Sequence, residues 1–534
     1  MKDVIIIGSG GAGLSAALSA KKNKADVLII SKTYPTHSQT CQAQGGINGV
    51  LKEDSKDSIE NYINDTYKAA HKLANKNHIE LFCSKSKEII NWLDEIGVPF
   101  SRNSENEISQ RKFGGTKAKR TCYSSDYTGL KVLHTLYDQC IKEKIEFLNE
   151  SMLLELIVEN NCVKGVVIYN LLSGKIEQIE AKTVILAGGG YAGVYSGFTT
   201  NSYSTTGDCI ALAYKAGAKI SNMEFVQFHP TALEDKNILI SESARGEGGY
   251  LVDEDGKRFI DELKPRDEVA RAIFTKNKEG KKVYLDLTHL GLEKINETMP
   301  QERRLAQEFL KLDMVDDLIP INPSAHYSMG GILTDIKAKT SITNLYACGE
   351  CSQSGIHGAN RLGGNSLLEI VLFGKIAGAE ASNSANDISN EKFSEEILNK
   401  TNKKIEKLFV SENYINIYKI KNDLGKLLFE NVGLFRDEQR LSIALEKIKE
   451  YKEELKDIGI VDKSKEYNKN LTDFLELENM LLISQLIVQS ALNRKESRGA
   501  HYRTDFQEEN AVFDKNSICI LEDDSHKHYF EEIL

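Results

Sequence analysis

The chain opens with a strand, a glycine turn and a helix, and this combination strongly restricts the fold. Residues 4–7 form an apolar, β-rich run, the glycines of GSGGAG follow, and a helical pattern leads to a second apolar run at 27–30. In such a βαβ unit, Gly8, Gly10 and Gly13 permit a tight turn in front of a helix N-terminus that binds pyrophosphate. Because the fingerprint follows a strand and opens a helix, it predicts a dinucleotide-binding sheet rather than a glycine-rich turn without a ligand.

Two further apolar runs also end in glycine, TVILAGGG at 183–190 and LYACGE at 345–350. Three strand-to-glycine turns so far apart predict one α/β, Rossmann-like nucleotide-binding domain built from discontinuous segments. We place that domain at residues 1–225 and 336–390, with an inserted α+β capping domain at 226–335.

The rest of the chain changes character. Within the insertion, YLVDEDGKRFI carries Asp255-Gly256, a hairpin signal. Apolar spacings of three and four residues predict a C-terminal helical domain at 391–505, followed by an acidic C-terminal tail at 506–534. The apolar run at 480–492 is interrupted by polar residues, which predicts an amphipathic packed helix rather than a membrane span.

Composition sets limits on function. The 534 residues are 41% apolar and 27% charged, with a net charge of −10, which is typical of a globular protein and argues against nucleic-acid binding. An anionic substrate would therefore need a local cluster of Arg and His. No targeting segment or membrane span is visible, and we expect a cytoplasmic protein.

Cysteine usage indicates a reducing compartment, because the nine cysteines are odd in number and scattered. They include no group of four ligands at cluster spacing, so we expect no metal site and no iron–sulfur cluster within this chain. Cys348 and Cys351 form a CxxC, which is either redox-active or, as we favour, an incidental pair on one turn.

Several polar residues are candidates for chemistry, and each has an ordinary structural explanation as well. His229 in EFVQFHPTAL and His326 in PSAHYSMGG are either ligands or buried structural histidines. Arg245 and Glu247 in SESARGEGG are either functional or a charge-paired turn. Arg266 in KPRDEVARAI is either functional or the partner of a helix carboxylate.

Arg361 lies in HGANRLGG, just after the third strand-to-glycine turn. An Arg among glycines can approach a small anion closely. Together with the N-terminal dinucleotide fingerprint, this stretch suggests a flavin beside a carboxylate substrate. The second strand ends in Ser31 and Lys32 and not in an acidic residue, so ribose is bound elsewhere, or Lys32 meets phosphate or adenine. The loop PTHSQTCQAQGGINGV suits an extended cofactor, although alone it reads as a polar loop.

Taken together, these blocks resemble the flavoprotein subunits of succinate dehydrogenases and fumarate reductases over nearly the whole chain. The matching blocks include QRKFGG, TGLKVLHTLYDQC, TGDCIALAYKAGA, EFVQFHPTAL, SESARGEGGYLV, AHYSMGGI, CGECSQSGIHGANRLGGNSL and ESRGAHYRTDF. The resemblance implies an FAD enzyme that interconverts fumarate and succinate. It also implies an iron–sulfur subunit and a further electron-donor subunit as partners, with peripheral attachment to the inner face of the membrane through them.

The resemblance also assigns roles to residues. Arg266 would deliver the proton to one alkene carbon, and Glu247 and Arg245 would relay protons to Arg266. The substrate would be bound by His229, Ser241, Glu242, His326 and Arg361, with Ser241 where the family usually has Thr. FAD would lie along Gly8, Gly10, Gly11, Gly13, Ser31, Lys32, Ser38, Gln39, Thr40, Gln44, Gly45, Gly46, Asp208, Glu350, Ser366 and Leu367.

One position departs from the family pattern. The family usually has RSHT, whose His bonds covalently to the flavin, whereas this chain has HSQT with Gln39 at that position. Gln cannot form the bond, and His37 lies two residues away, so we predict non-covalent FAD. A flavin without the histidyl substituent is a better reductant, which favours fumarate reduction.

Two other functions compete with this interpretation. L-Aspartate oxidases have the same fold and non-covalent FAD, but they resemble REGGHS where this chain has RKFGG, and Phe113 offers no counter-charge to a substrate ammonium. A non-catalytic assembly or electron-relay subunit would not need Arg266, His229, His326 and Arg361. We therefore favour the dicarboxylate enzyme.

Overall fold

The computed structural model describes residues 1–389, 394–523 and 525–533. The strands are β1 (Lys2–Ile7), β2 (Val27–Ile30), β3 (Ile47–Asn48), β4 (Gln110–Arg111), β5 (Thr121–Cys122), β6 (Glu146–Leu148), β7 (Ser151–Glu159), β8 (Cys162–Asn170), β9 (Lys175–Leu186), β10 (Ile220–Ser221), β11 (Val226–Leu233), β12 (Tyr250–Asp253), β13 (Val283–Asp286), β14 (Ile319–Ser328), β15 (Gly331–Leu333), β16 (Leu345–Ala347), β17 (Ser352–Gln353), β18 (Lys515–Glu522) and β19 (Ser525–Glu532). The α-helices are α1 (Gly11–Lys22), α2 (Ile59–Ala69), α3 (Lys76–Ser84), α4 (Ser86–Glu95), α5 (Thr128–Lys142), α6 (Asp208–Lys215), α7 (Glu242–Gly246), α8 (Arg266–Lys278), α9 (Leu292–Thr298), α10 (Pro300–Leu310), α11 (Asn365–Ala385), α12 (Glu396–Val410), α13 (Ile417–Val432), α14 (Glu438–Glu454) and α15 (Lys469–Asn493).

The α/β fold assembled from distant segments is confirmed at the centre of the largest sheet. Its parallel part runs in the order β6-β2-β1-β9-β16, with Val4 beside Thr183 and Leu345 beside Val184. The first half of the long β9 pairs instead with β8, which pairs with β7, both antiparallel. Because parallel strands end at the same edge, the three glycine turns lie side by side.

Two helices cover this sheet near the glycine turns. α11 packs along α1, and the approach is close enough that a Cβ at Gly374 would lie 2.5 Å from the Ala12 carbonyl oxygen. At Gly378 a Cβ would lie 2.1 Å from the oxygen of Ala16. The glycines of VLFGKIAGA thus set the distance between two helices rather than contacting a ligand.

The inserted region forms an antiparallel sheet in the order β11-β14-β13-β12, packed with α8, α9 and α10 around its own apolar core. The turn at Asp255-Gly256 is confirmed, with Gly256 at a φ of 73°. The return arm makes only a single bridge, between Val252 and Arg258. The limits of 226–335 stay a prediction.

The C-terminal part contains α12 to α15, as predicted, and the limit placed at residues 390 and 391 lies outside the described residues. The run at 480–492 is helical within α15, but it is not amphipathic: Ser484 and Gln485 are buried. α15 passes through the middle of the core, so both polar side chains take internal partners, the Met480 carbonyl and Lys452.

The acidic tail, which the sequence left without a structure, forms the β18–β19 hairpin. β18 pairs with β10, where Ile220 lies beside Cys519, and so extends the sheet β17-β15-β10-β18-β19. Within the described ranges, no helix is long and apolar enough to cross a membrane.

Candidate active site

One cavity at the carboxyl edge of the parallel sheet brings together most of the predicted site residues. The predicted cofactor residues that line it are Gly8, Gly10, Gly11, Ser31, Lys32, Ser38, Gln39, Thr40, Gln44, Gly45, Gly46, Asp208, Glu350, Ser366 and Leu367. Arg266 and the predicted substrate residues His229, Ser241, Glu242, His326 and Arg361 line it as well. Gly13, Arg245 and Glu247 are not among the residues that line it.

The glycine turn between β1 and α1 forms one wall of the cavity. Gly8 has a φ of 111°, and a Cβ there would lie 2.2 Å from the oxygen of Ala187. Gly13 has a different role, because a Cβ at that position would lie 1.9 Å from the oxygen of Gly8. Gly13 therefore allows the helix to pack against its own turn, while the first amides of α1 lie beside the cavity.

Lys32, at the end of β2, lines the cavity, but its ammonium group is already paired. Its Nζ lies 2.6 Å from Asp208 and 2.8 Å from Glu476. Burial alone would lower the pKa of Lys32, but the two carboxylates outweigh burial and raise it. Lys32 and Asp208 therefore form a fixed ion pair in the wall of the cavity.

The loop around Gln39 lies along the same wall. Ser38 Oγ and Gln44 Oε1 are buried and have no hydrogen-bond partner among the described residues. The side-chain oxygen of Gln39 accepts a hydrogen bond of 2.9 Å from the Ser202 amide. His37 is exposed and lies against Tyr34, outside the cavity lining. The free polar atoms indicate that a ligand completes this wall.

Glu350 lies where the cofactor and substrate halves meet. Its Oε1 accepts hydrogen bonds from the amide and the hydroxyl of Ser328, at 2.9 and 3.1 Å. Burial raises the pKa of Glu350 to about 7, although the charge of Arg361 opposes the shift. A carboxyl in this state can donate a hydrogen bond to a neighbouring ligand group.

The nearby cysteines are buried thiols. Cys351 Sγ donates to the carbonyls of Leu186 and Cys348, at 3.2 and 3.4 Å, and both Cys348 and Cys351 are free. Burial raises the pKa of Cys351 to about 12. Both observations favour a structural role for this CxxC over a redox role.

His229 and His326 form the floor of the substrate half, with ring centroids 5.0 Å apart. Burial lowers the pKa of both imidazoles well below the ordinary value, and the cations beside them add to the shift: Arg266 near His229, and Arg361 near His326. Both rings are therefore neutral at pH 7 in the protein without substrate, and the positive charge comes from the arginines.

Gln227 links the two arginines, and the sequence interpretation did not identify it. Its Oε1 accepts from Arg266 Nη1 at 3.1 Å and from Arg361 Nη2 at 3.2 Å. Its amide donates to the Asn360 side chain and the Arg361 carbonyl, at 2.7 and 2.8 Å. Arg361 also lies 3.9 Å from the centre of the Tyr327 ring. The only sequence signal was a polar residue inside the buried strand β11.

The structure changes the predicted proton relay. Arg266 Nε and Nη2 contact Glu242 Oε2 at 2.7 and 2.6 Å, while Glu242 Oε1 accepts from the Gly114 amide at 2.7 Å. Glu247 pairs with Lys294 at 3.2 Å, and no contact within the described residues joins it to Arg266. Glu242 was assigned to the substrate and Glu247 to the relay. The carboxylate in contact with Arg266 is that of Glu242 and not that of Glu247, because α7 turns Glu242 inward.

Arg245 lies behind Glu242. It is buried and donates to the Glu262 carbonyl at 2.6 Å, while Nε and Nη2 have no partner among the described residues. Burial would raise the pKa of Glu242, but Arg266 and Arg245 lower it. The charges of both Arg266, which lines the cavity, and Arg245, which does not, therefore act on Glu242.

Behind Ser241 lies a pair of buried carboxyl groups, Glu302 and Asp126. Glu302 Oε1 accepts from the Ser241 amide and from Ser243 Oγ, both at 3.2 Å, while Glu302 Oε2 and Asp126 Oδ1 have no partner among the described residues. Burial raises the pKa of both groups, to about 7 for Glu302, and the charge of Asp126 raises the pKa of Glu302 further. Arg111 offsets only part of this effect.

We expect Glu302→Gln to stabilise the protein by about 2 kcal/mol at pH 8 and to give no gain at pH 4. The folded state binds these protons more tightly than the unfolded chain. Stability from the pair is therefore complete at low pH and falls as the pH rises from about 4 towards neutrality. Thermal melts at both pH values measure the effect, with the exposed Glu308→Gln on the same helix as control. An equal gain at both pH values would contradict the prediction.

The motif ESRGAHYRTDF has a structural role beside the active site. Its Glu496 pairs with Arg498 and with Arg494, which precedes the motif, both at 2.9 Å. Arg494 also pairs with Glu224 at 2.6 Å, so the motif belongs to a buried ionic network. The Ala500 amide donates to the carbonyl of Ala359, two residues before Arg361. The segment thus supports the loop that carries Arg361.

Comparison with known proteins identifies the family of this chain. The profile described as FAD binding domain matches residues 3–367, and the profile described as fumarate reductase flavoprotein C-term matches residues 421–531. The 8-methylmenaquinol:fumarate reductase flavoprotein subunit of Wolinella succinogenes is 38% identical over 98% of this chain and 89% of that protein. The succinate dehydrogenase flavoprotein subunit of Rickettsia bellii is 38% identical over 95% and 91%. The flavoprotein of an E. coli quinol fumarate reductase variant superposes with a TM-score of 0.96, at 34% identity, covering 100% of this chain and 96% of that one.

Proposed function

The chain belongs to the family of fumarate reductase and succinate dehydrogenase flavoprotein subunits, and we propose that it interconverts fumarate and succinate with FAD. The observation that carries the proposal is one cavity that joins the fingerprint turn to Arg266, Arg361, His229 and His326. We infer that it works towards fumarate reduction.

The cofactor half of the cavity fits FAD. The N-terminus of α1 would bind the pyrophosphate, and the free Ser38 Oγ and Gln44 Oε1 would complete their hydrogen bonds on the ligand. The Lys32–Asp208 pair would line the adenosine end rather than bind phosphate. When bound, FAD supplies the hydride that is exchanged with the substrate.

The substrate half suits a small dianion. Arg361 and Arg266 provide two guanidinium groups that Gln227 holds at a fixed separation. The neutral imidazoles of His229 and His326 offer N–H donors without further charge. Burial of these groups strengthens each contact with a carboxylate.

Arg266 would give its proton to the alkene carbon that becomes carbanionic. A guanidinium is a weak acid, but a carbanion is a strong base, and Glu242 lies within 2.6 Å to return a proton. Arg245, which donates a hydrogen bond to the Glu262 carbonyl, would then pass protons between Glu242 and that part of the inserted region.

We expect the flavin to be released when the purified protein is precipitated with acid, because Gln39 cannot form the histidyl bond. The measurement is flavin fluorescence in the supernatant and in the washed pellet. A fluorescent pellet would contradict non-covalent binding. If His37 were then the attachment point, His37→Gln would release the flavin while the wild type retained it.

Fumarate-dependent oxidation of a reduced viologen dye by the flavin-loaded chain tests the proposed activity directly. No turnover with fumarate and no dye reduction with succinate would reject it. The hypothesis of an L-aspartate oxidase predicts aspartate-dependent peroxide production instead. The cavity does not favour that hypothesis, because a substrate ammonium would lack a counter-charge: Phe113 is apolar, and the carboxylate of Glu242 is paired with Arg266.

For partners, we propose an iron–sulfur subunit and a further electron-donor subunit that together hold the chain at the inner face of the membrane. The support is the family, since the Wolinella relative is named as a flavoprotein subunit of a quinol-linked enzyme. Co-purification of a Cys-rich partner with the tagged chain tests the proposal.

A further inference from the structure

A second cavity lies between α6, α12, α14, α15 and the β18–β19 hairpin and shares no lining residue with the first. Five lysines line it: Lys215, Lys404, Lys407, Lys452 and Lys456. Only two carboxylates line it with them, Asp457 and Glu478. A concentration of cations is unexpected in a chain whose net charge is −10.

Two of these lysines have no carboxylate partner among the described residues. Lys215 Nζ donates to Asn479 Oδ1 at 2.9 Å, and Lys452 Nζ donates to Gln485 Oε1 at 2.7 Å. Partial desolvation lowers the pKa of both ammonium groups, although the Lys215 side chain as a whole is exposed. The charge of Lys404 lowers the pKa of Lys215 further, and the charge of Lys215 does the same for Lys452. An anion between them would relieve this repulsion.

The other three lysines at this cavity each have a carboxylate partner. Lys404 pairs with Glu478 at 2.7 Å, Lys456 pairs with Glu453 at 2.7 Å, and Lys407 pairs with Asp457. The excess positive charge is therefore concentrated on Lys215 and Lys452.

Apolar side chains form the rest of the wall. Leu408, Leu455, Leu481, Leu482 and Phe474 line the cavity together with Tyr214, whose ring stacks on His526 at 5.6 Å with planes 7° apart. A ligand that fits both kinds of surface carries negative groups on an apolar or aromatic body.

A chain of hydrogen bonds fixes the position of the Lys215 ammonium group. The Nδ2 of Asn479 donates to Asp208 Oδ1 at 3.0 Å, and Asp208 is itself paired with Lys32. Asn479 therefore presents its oxygen to Lys215 in one orientation, so this cation is positioned before any ligand arrives.

We propose that this cavity binds a small polyphosphate carried on an aromatic body, of the nucleoside triphosphate class. Lys215 and Lys452 contact the phosphates, since Lys binds phosphate as a point charge. The leucines and Phe474 contact the aromatic part. The site is separate from the dinucleotide fingerprint and does not depend on the proposed catalytic activity.

Calorimetric titration of the FAD-saturated protein with ATP, pyrophosphate and adenosine tests the site, because saturation with FAD blocks the first cavity. We expect ATP to bind most tightly, pyrophosphate more weakly and adenosine not measurably. The double variant Lys215→Gln/Lys452→Gln should weaken ATP binding about 100-fold, since each charged hydrogen bond contributes about a factor of ten. The control is Lys447→Gln, an exposed lysine on α14 that pairs with Glu450 and should leave binding unchanged.

The melting temperature of the double variant shows whether weaker ATP binding comes from loss of the site or from loss of the fold. Without ATP, the double variant should melt at the same or a higher temperature than the wild type, because two like charges are removed. If it does not fold, Lys452→Gln alone should weaken ATP binding about tenfold. The proposal is overturned if ATP does not bind at low ionic strength, or if its affinity is the same in the variants and the wild type.

Discussion

Arg266→Gln is expected to lower kcat for fumarate reduction by about 10³-fold while FAD content stays unchanged. Glutamine is polar but neutral and shorter, so it removes the acidic proton that we assign to the guanidinium. The loss should appear mainly in kcat, because Arg361 and the two histidines still bind the dianion. Steady-state assays with a reduced dye, together with flavin quantification, measure both parts.

Loss of Arg266 also leaves Glu242 as an unpaired buried carboxylate, which costs about 3 kcal/mol. The double variant Arg266→Gln/Glu242→Gln removes that charge, so it should recover stability without recovering activity. Arg304→Gln, an exposed arginine of the same inserted region, is the matched control. Fumarate turnover of Arg266→Gln within tenfold of the wild type would contradict the assignment.

Arg361→Gln is expected to reduce kcat/KM for fumarate by about 10³-fold, with a large rise in KM. Two charge-assisted hydrogen bonds to a carboxylate contribute about 2 kcal/mol each in a buried site. Calorimetric titration with succinate should show the same loss of affinity. Arg361→Lys should recover only part of it, because Lys cannot make the bidentate contact or the stacking on Tyr327.

The wild type offers an independent check of Arg361. Burial and the charge of Arg266 lower the pKa of Arg361 to about 10. The cation is therefore present at neutral pH and is lost as the pH rises through about 10, so succinate affinity should fall over that range. An affinity that is flat up to pH 11 would mean that Arg361 stays charged over that range, and the Arg361→Gln titration would then be the test of its contact with the substrate.

The FAD-binding sheet could be predicted from the sequence because the patterns that indicate it are local. Each of β1, β9 and β16 is an apolar run that ends in glycine, and a parallel sheet places such ends together. The structure of the C-terminal tail could not be predicted in this way, because the pairing of β18 with β10 joins residues about 300 positions apart, Ile220 and Cys519.

The sequence identified charged residues that the structure brings to one cavity, but it did not determine which of them are in contact. Arg266 and Arg361 were identified from motifs, but the choice between Glu242 and Glu247 depended on which face of α7 turns inward. Gln227 was not identified, because a glutamine in a buried strand has no distinctive pattern until its partners are known. Gly13 was assigned to the cofactor, and the structure adds a packing role, since a Cβ at that position would lie 1.9 Å from the oxygen of Gly8.

The sequence alone determined the family, the glycine turns and the identity of the groups that can carry charge, because these depend on residue type and short spacing. Only the tertiary structure decided which groups meet: Glu242 with Arg266, Lys32 with Asp208 and Glu476, and Gln227 between the two arginines. Electrostatic interactions fall off over a few ångströms, and distances of that size between remote segments are set by packing rather than by position along the chain.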